Sequence, residues 1–342
     1  MFKAFQSYIV YSELEEDSMD LFEGLKAKIS GKEISVVFPE GNDLRIIGAA
    51  VRLAADKLIK PVLLGDPKEI HDLGAKNGFV TDLVTIIDPE NFEDRQKLVD
   101  GFVERRAGKA TREQAEELMN NYNYFGTMLT YMGYVDAMVS GAVHSTGDTV
   151  RPALQIIKTK PGISRTSGSF IMAKRNETYL FADCAININP NAQELAEIAV
   201  ASAKTAELFG IEPVVAMMSF STKGSAKSPD VEKVIEATKI AQELAPEYEI
   251  DGELQFDAAF VPSVAKLKSP ESNVAGRAKV FVFPEIQSGN IGYKIAQRLG
   301  GYEAIGPILQ GLNKPVSDLS RGCNEEDVYK LSIITAAQTL ID

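Results

Sequence analysis

Ile34-Ser35-Val36-Val37-Phe38-Pro39-Glu40-Gly41-Asn42-Asp43-Leu44-Arg45 is the stretch whose reading decides the fold. Ile34–Phe38 reads as a buried strand. From Leu44 to Leu58 the residues Ile46, Ile47, Ala50, Leu53 and Ala54 then recur at helical spacing. Working outward, Pro61–Leu64 is a second strand closed by Gly65-Asp66-Pro67, and Leu83–Ile87 a third ended by Asp88-Pro89. A helix over Arg112–Met132 leads into a strand at Asp136–Ser140. This rhythm predicts an α/β fold with parallel-rich sheets covered by helices on both faces.

The rhythm resumes beyond a polar stretch, Lys158 to Arg175, and the seam between two domains is read in the polar region near residue 160. Strands are expected at Tyr179–Asp183 and Val214–Phe220 around a helix Ala192–Phe209 that Gly210 ends. Ser228-Pro229-Asp230 supplies a capping hydroxyl, a proline at the first helical position and an acid, and that helix stops at Ala245-Pro246. A strand at Val280–Phe283 and a helix at Asn290–Leu299 follow. With 342 residues the chain exceeds one average domain. Residues 1–18, acidic after a short apolar run, read as an N-terminal extension rather than a signal peptide.

Thirty-six basic residues against 48 acidic ones leave a net charge of −12. That balance argues against nucleic acid or an anionic membrane as partner, and places any anionic ligand in a local basic pocket. Two cysteines, Cys184 and Cys323, make no disulfide framework, and two histidines make no zinc cluster, so no metal is expected and the location expected is cytoplasmic. No apolar run approaches the ~18 residues of a membrane span.

Three loops carry groups suited to phosphate. Gly141-Ala142-Val143-His144-Ser145-Thr146-Gly147-Asp148-Thr149-Val150-Arg151 follows a strand, where free backbone N–H groups attract anions, and it offers hydroxyls at Ser145 and Thr146 and a cation at Arg151. The alternative is a hydroxyl-rich turn that caps the next helix. Ser219–Ser228 follows another strand with Ser221, Thr222, Lys223 and Lys227, suited to a diphosphate or to a solvated helix entrance. Lys294 and Arg298 share a helix face, which calls for an anion or a protein carboxylate opposite.

Lys314–Asp327 packs Ser320, Arg321, Cys323 and several carboxylates into one short segment. Arg321 can hold phosphate in bidentate fashion, and Asp327 can reach the same pocket if a turn intervenes. Asn324 with Asp327 three residues on equally resembles a capping box. No histidine lies in this stretch to activate Ser320 or Cys323, which disfavours a covalent intermediate.

Taken in order, Pro39–Arg45, Val139–Pro152, Phe181-Ala182-Asp183, Ser219–Ser228, Asp251–Ala259 and Gly289–Asp327 resemble the phosphate acetyltransferase/butyryltransferase family, the acetyl type in particular. The resemblance runs from about residue 20 to the end of the chain. It implies two α/β domains of isocitrate/isopropylmalate dehydrogenase-like architecture with the active site in the cleft between them, and a homodimer. The domains implied are 19–160 plus 308–342, and 161–307. The reaction implied is acetyl-CoA plus phosphate to CoA plus acetyl phosphate, with no cofactor beyond the CoA substrate and no metal. Ser320 and Arg321 match the family's essential pair, Asp327 its proposed base, and Arg151, Arg298 and Arg105 its substrate-binding arginines.

The chemistry fits these residue types. A CoA thiol needs a base as sulfur attacks the acetyl carbonyl, and a carboxylate is mismatched to it by ~4–5 pK units. Either burial makes Asp327 more basic or Arg321 stabilises the thiolate. Three alternatives share part of this pattern: a phosphate butyryltransferase, a metal-dependent hydroxyacid dehydrogenase, and a non-catalytic acetyl-CoA-sensing domain.

Overall fold

The computed structural model describes residues 21–341, so the expectation for residues 1–18 lies outside the described residues. In chain order the strands are β1 (Ser35–Phe38), β2 (Lys60–Leu64), β3 (Thr85–Ile87), β4 (Ala137–Ser140), β5 (Ser167–Lys174) and β6 (Glu177–Ala182). They continue as β7 (Val214–Met218), β8 (Glu249–Leu254), β9 (Val280–Val282), β10 (Glu303–Gln310) and β11 (Val316–Asp318). The chain divides into two compact units, Leu25–Lys160 with Leu312–Asp342, and a second that holds Pro161–Gly311.

In the discontinuous unit the strands form a parallel sheet of order β11-β4-β1-β2-β3. Val36, Val37 and Phe38 of β1 and the whole of β4 are buried, as uninterrupted apolar runs in a parallel sheet require. Helix Leu44–Ala55 starts at Asp43, whose side chain accepts the N–H of Arg45, and it buries Ile46, Ile47, Ala49, Ala50 and Leu53. The three larger side chains, Ile46, Ile47 and Leu53, contribute about 1.5–3 kcal/mol each when fully buried. Two expectations change here. The helix expected over Arg112–Met132 is two, Arg112–Leu118 and Tyr122–Tyr131, because Asn121 turns its side chain back to cap the N–H groups of Asn123 and Tyr124. The strand expected at Leu83–Ile87 is shortened by a 3₁₀ turn at Thr81–Leu83.

The second unit carries a six-stranded sheet of order β10-β5-β6-β9-β7-β8. Four strands run parallel, whereas β5 pairs antiparallel with both β6 and β10, so this sheet is mixed rather than uniformly parallel. The chain divides at Lys160/Pro161, near the expected seam, and the rest of that polar stretch contains β5, seven of whose eight residues are buried. Its serines are absorbed by partners inside the sheet layer: Ser167 Oγ donates to Gln310 Oε1 at 3.0 Å. The core holds Phe170, Met172, Phe181, Met218, Leu254 and Phe281. Ser228 caps helix Pro229–Leu244 with proline at its start, as expected. Helix Ile286–Arg298 begins earlier than expected, because Glu285 caps it. Gly289 therefore sits inside the helix, where a Cβ would fall 2.3 Å from the Asp183 carbonyl oxygen. Strand β10, at the edge, belongs entirely to this unit, and Pro307 sits at its bulge, where no ladder N–H is needed. No helix among the described residues is long and apolar enough to cross a membrane.

Candidate active site

Parallel strands end on one side of their sheet, so the segments after β1, β4 and β11 emerge next to one another. Two side chains from the first segment organise the other two. Glu40, with a side chain 1% exposed, accepts the N–H groups of Gly141 and Ala142 on Oε2 and those of Val143 and His144 on Oε1, at 2.8–3.0 Å. Nδ1 of His144 lies 2.6 Å from the same Oε1. The N–H groups expected to await a phosphate are thus occupied by a carboxylate of the chain itself.

Arg45 does the corresponding work on carbonyl groups. Its Nη1 donates to Arg321 O and Cys323 O at 3.0 Å, and its Nη2 to Ala142 O at 2.9 Å. Nε and Nη2 also donate to the two oxygens of Asp43. An arginine has five N–H donors, and all five of Arg45 are used, leaving none for a ligand. The guanidinium in turn holds the Asp43 carboxyl below its usual range.

Gly141 and Asp318 meet at the junction of the two loops. Gly141 has φ +113°, and a Cβ there would stand 2.6 Å from both Asp318 Oδ1 and Leu319 O. Asp318 is buried, and burial raises its pKa. Asp318 Oδ1 and Thr149 Oγ1 are buried without a hydrogen-bond partner among the described residues.

Around this scaffold the residues expected to act are exposed. Ser320 and Arg321 lie on the surface of the unit, with Ser320 Oγ accepting the N–H of Gly322 at 3.3 Å. Neither Arg321 nor Arg151 has an ion pair among the described residues. Ser145 takes the capping alternative: it caps helix Thr146–Pro152 in a capping box with Asp148 and donates to Asp148 Oδ2 at 2.6 Å. Those bonds hold the Asp148 carboxyl below its ordinary value. Asp327 is exposed and forms the capping box with Asn324, each side chain accepting the other's N–H at 2.9 Å. Cys323 is buried, which raises its thiol pKa, in keeping with a packing role.

Arg105 donates to the carbonyls of Ile156 and Ile157, at 2.6 and 3.0 Å, and stacks on Tyr131. With Arg106 and Lys109 it pushes the Lys158 pKa down, Arg105 contributing most. These four cations have no ion pair among the described residues. They form a basic patch in an acidic chain, to which Lys109 and Lys158 bring cations that no sequence motif marks.

In the second unit the residues expected at a diphosphate site divide. Ser221 and Thr222 are buried, the first donating to Glu253 at 2.9 Å and the second to Gln255 at 3.2 Å. Lys223 is spent on Asp251 Oδ1 and Gly252 O. These three brace the loop against residues 251–255, and only Lys227 is left exposed without a partner among the described residues. Lys294 and Arg298 are exposed with no carboxylate paired to either among the described residues.

A family model described as phosphate acetyl/butaryl transferase matches residues 20–336. Phosphate acetyltransferase of Bacillus subtilis is 60% identical over 321 residues, covering 94% of this chain and 99% of that protein. A phosphotransacetylase structure from Streptococcus pyogenes superposes with a TM-score of 0.93 at 61% identity, covering 95% of this chain and 99% of the other. The EutD phosphotransacetylase structure from Staphylococcus aureus gives 0.90 at 60% identity, covering 94% and 98%.

Proposed function

Because the chain belongs to the phosphate acetyl/butyryl transferase family, we propose a mechanism in which its exposed loop residues carry acetyl between CoA and phosphate. The activity is that of a phosphate acetyltransferase, acetyl-CoA plus phosphate to CoA plus acetyl phosphate, and the chain is a transferase. The observation that carries the mechanism is that Arg321 and Arg151 have no ion pair among the described residues and, with the exposed Ser320, belong to segments that Glu40 and Arg45 tie together.

In the direction of acetyl-CoA formation the CoA sulfur attacks the acetyl carbonyl, a C–S bond forms, and the C–O bond to phosphate breaks. The thiol proton passes to Asp327 Oδ1, the oxygen not used in the cap. Ser320 donates to the developing oxyanion. Arg321 and Arg151 take the negative charge of the departing phosphate, and Arg321 also stabilises the thiolate. Transfer is direct, without an acyl-enzyme. Thr146 adds a hydroxyl beside Arg151. Arg105 and its neighbours Arg106, Lys109 and Lys158 suit the CoA phosphates, as do Lys227, Lys294 and Arg298. No metal or further cofactor takes part in this scheme.

The reading brings with it a homodimer in the cytoplasm, with neither nucleic acid nor membrane as partner. Support for the dimer is the exposed apolar stripe Ile291, Ile295 and Leu299, spaced by four residues on one helix face. Two buried free cysteines and the acidic balance support the location and the absence of polyanionic partners. The test is acetyl-CoA formation from CoA and acetyl phosphate with purified protein, with butyryl phosphate assayed beside it. Failure with acetyl phosphate sinks the reading, and preference for butyryl phosphate moves it to the butyryl branch.

A further inference from the structure

A short run of backbone N–H groups converging beyond a strand is a general phosphate cradle. Here the run Gly141–His144 is filled, and the filler is Glu40. Two features set this carboxylate apart from an ordinary surface acid. It is almost completely enclosed, at 1% side-chain exposure, so a ligand cannot share the nest with it. It also has no lysine or arginine ion partner among the described residues, and its charge is balanced by four amide dipoles and one imidazole N–H. With Glu40 as the carboxylate, Nδ1 of His144 is the donor to Oε1, and the contact fixes the ring orientation.

We propose that Glu40 is a positioning residue for acetyl transfer: an internal anion that shapes the segment Gly141–Ser145 and excludes substrate phosphate from the nest. The reacting phosphate is then displaced toward the exposed hydroxyls and guanidinium groups at Ser145–Arg151 and Ser320-Arg321. Glu40 acts through the loop and touches no substrate. The proposal rests on the acetyl-transfer reading for its assay, and on hydrogen bonds alone for its geometry.

The test is Glu40→Ala with and without added formate, the smallest carboxylate, which can refill the vacated nest. Without formate kcat falls by about 10²-fold while KM for CoA stays near the wild-type value, because a displaced loop misaligns the reacting groups. Formate then raises kcat of the variant by about tenfold and leaves wild type unchanged, since it binds only where the four N–H groups are free. A folded Glu40→Ala enzyme of near-normal kcat, or one whose deficit formate does not touch, overturns the proposal. If that variant does not fold, as judged by circular dichroism and thermal melting, Glu40→Gln decides. Its amide group turns donors toward two N–H groups, so kcat drops by about tenfold or more at unchanged KM for CoA, and formate has no effect. Wild-type kcat in Glu40→Gln overturns the proposal as well. Wild-type protein that makes no acetyl-CoA sinks the functional reading instead, which keeps the two failures apart.

Discussion

Nη2 of Arg45 donates to the carbonyl oxygen of Ala142 at 2.9 Å, tying the segment after β1 to the loop after β4. The same guanidinium reaches Arg321 O and Cys323 O, so one side chain sets the spacing of the phosphate loop and the Ser320-Arg321 turn. Arg45→Lys is the direct test. A single ammonium cannot chelate Asp43 and serve three carbonyls at once. The expected outcome is a kcat lower by about 10²-fold with KM for CoA little changed. Steady-state kinetics with a thermal melt check it; an unaltered kcat would show that the turn holds its place without Arg45.

Asp327 is both cap and proposed base, and one substitution separates the two. Asparagine still accepts the Asn324 N–H but takes no thiol proton. As cap alone, Asp327→Asn costs about 1 kcal/mol or less and leaves turnover intact. As base it keeps its fold and CoA affinity while kcat falls by roughly 10²–10⁴-fold. Asp318→Asn, Glu325→Gln, Glu326→Gln and His144→Gln belong beside it. Collapse of kcat in one of these with a normal Asp327 variant moves the base to that residue.

The cation patches are expected to differ in which phosphate they meet. Arg105→Gln and Arg298→Gln are compared with wild type on CoA and on dephospho-CoA. A residue at the 3′-phosphate loses the discrimination between them. A variant that keeps the wild-type preference does not contact that group, and a rise confined to the KM for acetyl phosphate assigns the residue to the acyl phosphate instead.

Asp318 supplies a pH dependence of stability. Burial favours its protonated form, so its folded pKa lies above the ordinary 3.8. Stability from such a group is present below 3.8 and is lost as pH rises through the higher folded value. Asp318→Asn removes the buried charge. Its melting temperature relative to wild type is therefore expected to be higher at neutral pH than at about pH 4. A difference that does not change with pH counts against it.

The sequence made the strand-helix alternation of Ile34–Phe38 and Leu44–Leu58 legible because burial on both sheet faces demands unbroken apolar runs. It hid β5, since Ser167, Gly168 and Ser169 look like a linker until Gln310, far along the chain, supplies a partner. Caps are local, and so Asn324 with Asp327 and Ser228 with Pro229 could be read directly. Glu40, Arg45 and Glu253 could not. Each lies inside a stretch that carried the family resemblance, yet its partners are set by strand order, which no local pattern encodes. Ser221 and Thr222 were read as ligand groups for the same reason, because a hydroxyl that faces Glu253 and one that faces solvent look alike in sequence.

The return of residues 312–342 to the first sheet has a consequence for synthesis. β11 is an edge strand that pairs with β4, and the Ser320–Asp327 segment follows it, after the whole of the intervening unit. Ribosome-bound chains that already carry the whole of residues 161–311 still lack the serine, the arginine and the carboxylate of the proposed chemistry. The nascent protein is therefore inert until that segment has emerged, and its first sheet waits with one edge of β4 unpaired while the intervening unit is produced. Any C-terminal truncation that removes β11 leaves that edge open to pairing with another chain.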